Sequence, residues 1–329
     1  MKFESSDAAV QGTTEDASIS KLSSSRLGYF EDAFLHFFVK RGEYRRSPLV
    51  NRGYYSRVAG IRMVIRQFME CCEEAGFETC QVVSLGAGLD PTAFYIAKSR
   101  ELPNIARNTH VFEVDYPEVV KKKAAIINHY EELKSVFPPL LPEGEYRSDR
   151  YALLGADLRE LDQLSERLSG ACLRSNVPTL FLAECVLIYM DNKYSDAVLE
   201  WVAKKAVPNA FACIAVYEQT NPNDPFGRVM VENLKLRGCP LLGIAAYPTL
   251  QSNHRRYIDV AGFESVSIAD MNDIYDNQID KDEIKRIAKL ELFDEFEEWR
   301  LMQAHYFIAV ACTRADKFDK MQCMWGKKQ

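Results

Sequence analysis

The chain has 329 residues, 47% of them hydrophobic and 27% charged, and its 41 Lys+Arg against 47 Asp+Glu leave a net charge of −6. That content supports a large core, and the acidic balance sets aside a nucleic-acid binder, which needs a basic face. No apolar run nears the roughly 18 residues of a membrane span, and nine cysteines, without a CxxC pair or a secretory signal before them, read as the reduced thiols of a cytoplasmic protein.

The first twenty residues are rich in Ser, Thr, Asp and Glu and are expected to form a disordered tail. Residues 21–75 read as a helical lid. Tyr29, Phe30, Phe34, Phe37 and Phe38 fall near i, i+4 spacing, and Val58, Ile61, Val64, Ile65 and Phe68 make a second stripe. Core packing accounts for these stripes. Lys21, Arg45, Arg46, Arg52 and Arg57 crowd the same segment, which suits an anionic ligand; Arg57 is read as an exposed lid residue.

The chain is organised around Gln81-Val82-Val83-Ser84-Leu85-Gly86-Ala87-Gly88-Leu89-Asp90. An apolar run makes a buried strand, two glycines turn sharply at its end, and Thr92–Lys98 follows as a helix. This is the nucleotide-binding opening of a doubly wound α/β domain. The third glycine of the dinucleotide fingerprint is missing, its place taken by Leu89-Asp90-Pro91, so a phosphate-free adenosine ligand such as S-adenosylmethionine fits better than a pyrophosphate.

Next, His110–Tyr116 is a strand that Pro117 ends. Asp115, nearest the strand's end, is the candidate for the ribose diol, with Glu113 on the same face as the alternative. Residues 118–134 read as a helix whose solvated face is Lys121-Lys122-Lys123. A third strand, Tyr151–Leu154, leads to Asp157 and Leu158. There the acid can accept from an adenine amine or cap a helix 159–168, and the leucine can pack on the ring. Strand Thr179–Ala183 ends at Glu184, a carboxylate costly to bury unless paired, hence a site candidate.

Helix 194–207 and strand 210–217 continue the alternation, followed by a polar insertion 218–256. Then come strand 263–268, a charged helix 281–302 and an apolar strand 305–313. The expected fold is α/β, a doubly wound seven-stranded sheet, mostly parallel with one antiparallel strand, a methyltransferase pattern more than a dehydrogenase one. One domain spans 21–313: lid 21–75, cofactor half 76–217, insertion 218–256 and C-terminal part 257–313, with a tail at 314–329. The five histidines show no metal-ligand spacing.

These pieces resemble the leucine carboxyl methyltransferase family. The matching stretches are NRGYYSRVAG (51–60), SLGAGLDPT (84–92), FEVDYP (112–117), GADLREL (155–161), AECVLIYM (183–190), YEQTNPNDPFGRVMVENL (217–234) and LELFDEFEEWRLMQAHY (290–306). The resemblance implies transfer of a methyl group from S-adenosylmethionine to the C-terminal leucine carboxylate of the protein phosphatase 2A catalytic subunit, by a monomer without metal. It implies that Lys21 and Arg57 meet the carboxylates and that Gly86 and Gly88 pass under the methionine part. Asp115 then holds the ribose, Asp157 and Leu158 the adenine, Glu184 the amino group, and Tyr189 walls the substrate pocket. A related branch acting on a tRNA base carries an added propeller, for which this chain has no repeat of the required period. The rivals are a nicotinamide-dependent oxidoreductase on a similar sheet and a non-catalytic protein that binds the phosphatase tail.

Overall fold

Strand β1 (Gln81–Leu85) lies in the middle of a sheet whose order is β3-β2-β1-β4-β5-β7-β6. The other strands are β2 (His110–Asp115), β3 (Tyr151–Gly155), β4 (Thr179–Glu184), β5 (Ala212–Gln219), β6 (Ser265–Asp270) and β7 (Tyr306–Cys312). The structure is a computed structural model and describes residues 4–40, 42, 44–140, 145–313 and 318–326. Strands β1 to β5 are parallel, and β7 is antiparallel to both its neighbours. This is the expected seven-stranded fold.

The helices are α1 (Glu4–Arg26), α2 (Pro48–Glu74), α3 (Thr92–Lys98), α4 (Pro117–His129), α5 (Glu131–Lys134), α6 (Leu161–Gly170), α7 (Asn192–Lys204), α8 (Pro225–Leu236), α9 (Leu250–Arg255), α10 (Met271–Gln278), α11 (Lys281–Ile287), α12 (Phe296–Gln303) and α13 (Asp319–Gln322). Alternate strand residues feed opposite faces of the sheet. Val82, Val111 and Leu180 pack with Phe68 of α2 and Phe94 of α3, while Val83, Leu85 and Phe181 pack with Leu164 of α6 and Val198 of α7. Both faces are covered, which explains why β1 to β5 are predominantly apolar. None of the described helices is long and apolar enough to cross a membrane.

Several sequence expectations change. The first twenty residues are not a disordered tail: from Glu4 they belong to α1. Four serines, Ser18, Ser20, Ser23 and Ser24, share its buried face with Lys21 and Leu22. The Ser18, Ser20 and Ser24 hydroxyls donate to carbonyls one turn back, at Thr14, Asp16 and Ser20, so small polar side chains enter the interior with their hydrogen bonds made locally. Ser23 and Ser24 then hydrogen-bond the buried Asn51 of α2. The aromatics 29–38 are not helical as expected. The Asp32 carboxylate accepts from the N–H groups of Phe34 and Leu35 and turns the chain into a single 3₁₀ turn, which leaves the rings of Phe34 and Phe38 on Phe94.

Helix 118–134 is split at Tyr130, and Lys123 does not share the solvated face of its neighbours but is fully buried against Glu113. Residues 281–302 are two helices. Between them the chain leaves helical geometry to seat Glu291 under Tyr29 and Asn51, and the Phe293 ring against the Arg52 guanidinium, 4.3 Å away. Of the expected tail 314–329, residues 314–317 and 327–329 lie outside the described residues, and the rest is docked. Phe318 stacks on Phe211 with ring centroids 3.7 Å apart, Met321 is fully buried, and the backbone N–H of Trp325 donates to the Ser267 hydroxyl.

Candidate active site

The turn after β1 is fixed from below by β2: the N–H groups of Gly86 and Ala87 both donate to the Val114 carbonyl. Gly86 (φ +66°) and Gly88 (φ +54°) occupy the left-handed region, where a side chain is strained. They also have no room for one. A Cβ on Gly86 would lie 2.5 Å from Val186, and one on Gly88 would lie 2.8 Å from Thr14 of α1.

Asp115 ends β2 beside this turn. Its carboxylate accepts from the Gly88 N–H at 2.6 Å and the Tyr116 N–H at 2.7 Å. Burial raises its pKa, and those two donors partly offset the rise. Glu113 is committed elsewhere, its carboxylate 2.6 Å from Lys123 and accepting from the Tyr151 hydroxyl at 2.6 Å. It lies outside the cavity, so Asp115 is the member of the pair that faces a ligand.

Asp157 follows β3, and Leu158 beside it is 8% exposed. Asp157 does not cap the next helix, which begins at Leu161 with no side-chain cap. Its carboxylate instead accepts from the Arg159 guanidinium, which reaches on to Asp7 of α1 at 2.8 Å.

Glu184 ends β4 and accepts from Arg57 Nε at 2.7 Å and from Lys21 Nζ at 3.4 Å. Lys21 also pairs with Asp90, whose other oxygen accepts from the Thr92 N–H at the start of α3. Burial works against both cations, but the Asp90 and Glu184 carboxylates outweigh it for Lys21, and Glu184 does so for Arg57, so both pKa values lie above their ordinary positions. Asp90 is held well below the usual carboxylate range because the Lys21 charge and hydrogen bonds from Lys21 and Thr92 overcome its desolvation. Arg57 is not the exposed lid residue expected from sequence: its side chain is 12% exposed and its guanidinium lies 4.8 Å from the Tyr217 ring. The lid cations do not converge either. Arg46 pairs with Asp16 and Arg45 reaches Glu291, while Arg52 is buried over Phe293; of these five cations, Lys21 and Arg57 line the cavity.

That cavity, of about 360 Å³, brings together every site residue chosen from sequence: Lys21, Arg57, Gly86, Gly88, Asp115, Asp157, Leu158, Glu184 and Tyr189. Sheet order sets the sequence of groups along its edge. Asp157 stands at β3, Asp115 at β2, the glycines at β1 and Glu184 at β4, four adjacent strands spaced about 4.8 Å apart. An extended ligand with a base, a sugar and an amino-acid end meets an acceptor at the base, a carboxylate at the diol, bare backbone in the middle and an acid at the amine. These residues fit S-adenosylmethionine.

Sequence reasoning missed three parts of the wall. Asp90 lay inside the quoted turn but was given no role. The α1 residues Thr14, Ala17 and Ser18 carry no apolar signal. The Gln219, Gln303 and Tyr306 group joins β5 to β7 only in three dimensions. Among the described residues no group of His, Cys, Asp or Glu is arranged to hold a metal ion.

The architecture and the sequence agree with known proteins. A methyltransferase crystal structure from Thermobifida fusca YX superposes with a TM-score of 0.50 at 11% identity, covering 89% of this chain and 93% of that one, a likeness of fold. The leucine carboxyl methyltransferase 1 homolog of Arabidopsis thaliana is 41% identical over 94% of this chain and 91% of its own length. The tRNA wybutosine-synthesizing protein 4 of Rattus norvegicus is 38% identical over 93% of this chain, which spans only 44% of that longer protein. Residues 5–203 match the family described as leucine carboxyl methyltransferase. The chain is a member of the leucine carboxyl methyltransferase family, a family of S-adenosylmethionine-dependent methyltransferases.

Proposed function

We propose that this protein methyl-esterifies the C-terminal leucine α-carboxylate of the protein phosphatase 2A catalytic subunit, acting as a monomer in the cytoplasm. The observation that carries this reading is the pair of buried cations, Lys21 and Arg57, converging on Glu184 at one end of the cavity. Lys21, Arg57 and Glu184 there receive the carboxylate and amino group of the cofactor's amino-acid end, and Arg57 also meets the acceptor. Gly86 and Gly88 give the methionine part its close approach, Asp115 binds the ribose diol, and Asp157 with Leu158 holds the adenine. Bound there, S-adenosylmethionine supplies an electrophilic methyl on a sulfonium, open to in-line displacement by a carboxylate oxygen.

The chain's own groups suit that nucleophile. A C-terminal carboxylate has a pKa near 3.5 and arrives ionised, so no base is required. Burial raises the pKa of Tyr189, Tyr217 and Tyr306, and lifts the Cys185 thiol to about 11, so these neighbours keep their protons at neutral pH and act as donors or walls. Charge is neutralised on the way to the transition state, so a wall that excludes water favours the reaction; α1 supplies one. Arg57 orients the acceptor while sharing its charge with Glu184, which limits how far it damps the nucleophile.

The test is mass spectrometry of a peptide carrying the phosphatase C-terminal sequence after incubation with the protein and cofactor. One methyl per peptide is expected, and none when the terminal carboxylate is amidated or when bulk tRNA replaces the peptide. Methylation of the amidated peptide, or of tRNA instead, would overturn the assignment.

A further inference from the structure

The acceptor side of the cavity contains two buried amides with opposite unmet needs. Gln219 is the last residue of β5 and 3% exposed; Gln303 is the last residue of α12 and 1% exposed. Both line the cavity beside Gly53 and Tyr54 of α2. Gln219 stands opposite Tyr306, its partner across the β5–β7 ladder, and its Oε1 has no hydrogen-bond partner among the described residues. Gln303 Nε2 is likewise unpartnered, while its Oε1 lies 3.9 Å from the Cβ position of Gly53. One orphan is an acceptor and the other a donor.

Orphaned polar atoms at this depth are rare in folded proteins and mark a place where something else completes the bonding. The surroundings offer little help: Met302 and the rings of Tyr54, Tyr217 and Tyr306 make up much of the adjacent wall. We propose that Gln219 and Gln303 read the last peptide bond of the acceptor, Gln219 Oε1 accepting from its N–H and Gln303 Nε2 donating to its C=O. A backbone amide presents one donor and one acceptor, the complement of what the two glutamines lack. The terminal torsion of a glutamine is broad, so each amide turns toward the ligand at little cost. The reading rests on the acceptor assignment above and deepens it: the substrate is a polypeptide end, distinguished from a free amino acid or an isolated carboxyl group by its penultimate amide.

The experiment compares two synthetic phosphatase-tail peptides, one natural and one with an ester oxygen replacing the N–H of the last peptide bond. Wild type is expected to show kcat/KM about tenfold lower on the ester, the loss of one hydrogen bond to a buried acceptor. In Gln219→Met the natural peptide falls to the level of the ester and the two become equal. In Gln303→Met both fall while their ratio is kept. Binding of S-adenosylhomocysteine by calorimetry, expected to be unchanged, shows that each variant is folded. Equal use of both peptides by wild type, or a ratio that survives in Gln219→Met, overturns the amide reading and leaves the methyl transfer standing. Methylation of neither peptide removes both.

Discussion

The two walls of the cavity are built on different physics. The sheet-edge floor is tightly constrained and deeply buried: glycines without room for a Cβ, a carboxylate held by two backbone N–H groups, and the Asp90 and Glu184 carboxylates, which receive Lys21 from the C-terminal part of α1 and Arg57 from α2. The cover, residues 7–18 of α1, is mostly polar. It is tied down by side chains at the rim, Asp7 to Arg159, Glu15 to Lys122 and Asp16 to Arg46. Buried ion pairs are costly to break from one side, whereas exposed ones contribute little and weaken with salt. The floor is therefore preorganised and the cover adjustable, a division suited to a site that must hold its cofactor in register and still exchange it.

Four measurements grade that contrast. Arg57→Ala removes the nearer of Glu184's two cations and leaves Lys21 at 3.4 Å, and we expect a stability loss of about 2 kcal/mol with methyl transfer down roughly 100-fold; thermal unfolding and initial rates check both. Wild-type behaviour would place the floor's charges among the ornamental ones.

Next comes Glu218, whose carboxylate accepts from the Ile188 N–H at 2.8 Å and pins the loop that carries Val186 against Gly86. Burial lifts its pKa from 4.5 to about 7, against the opposing Arg256 charge and the loop N–H groups. The folded state therefore holds a proton that the unfolded chain has already released. Its contribution is fully present below about pH 4.5, falls as pH rises toward 7 and is level above, a change of roughly 3 kcal/mol. Urea unfolding across this range should show that slope in wild type and not in Glu218→Gln.

Asp115→Ala is expected to weaken S-adenosylhomocysteine binding by about 1–3 kcal/mol, read by calorimetry. Glu113→Gln should change stability and leave that affinity alone. The smallest effect belongs to the cover: Asp7→Asn should cost under about 1 kcal/mol, and the difference from wild type should vanish in high salt. A larger, salt-insensitive loss would erase the distinction between the walls.

The floor was legible in the sequence because its signals are local. Short apolar runs, two glycines one residue apart and an acid at or just past a strand end can be read within a few residues, and they placed Gly86, Gly88, Asp115, Asp157 and Glu184 around one cavity. The cover was not, because hydropathy registers no buried face on a helix that packs through serines bonded to their own backbone. Lys123 looked solvated among three lysines because its partner, Glu113, lies on another element. Phe318 stood as one ring in a charged stretch, and Phe211 and Phe77, both more than a hundred residues earlier, give it a place. Gln219 and Gln303 carry neither charge nor periodicity, and the places they take beside Tyr306 and Gly53 exist only after folding.

The position of β7 has a consequence for synthesis. The last strand among the described residues is threaded between β5 and β6, and among them β6 has no sheet neighbour other than β7. As the chain leaves the ribosome, β6 therefore has no described strand to pair with until Tyr306–Cys312 emerges, and the edge of β5 that β7 will cover waits unpaired through the whole intervening stretch. Loss of the final strand would thus strip two strands from the sheet, and a nascent chain stalled before it should be the species that chaperones bind.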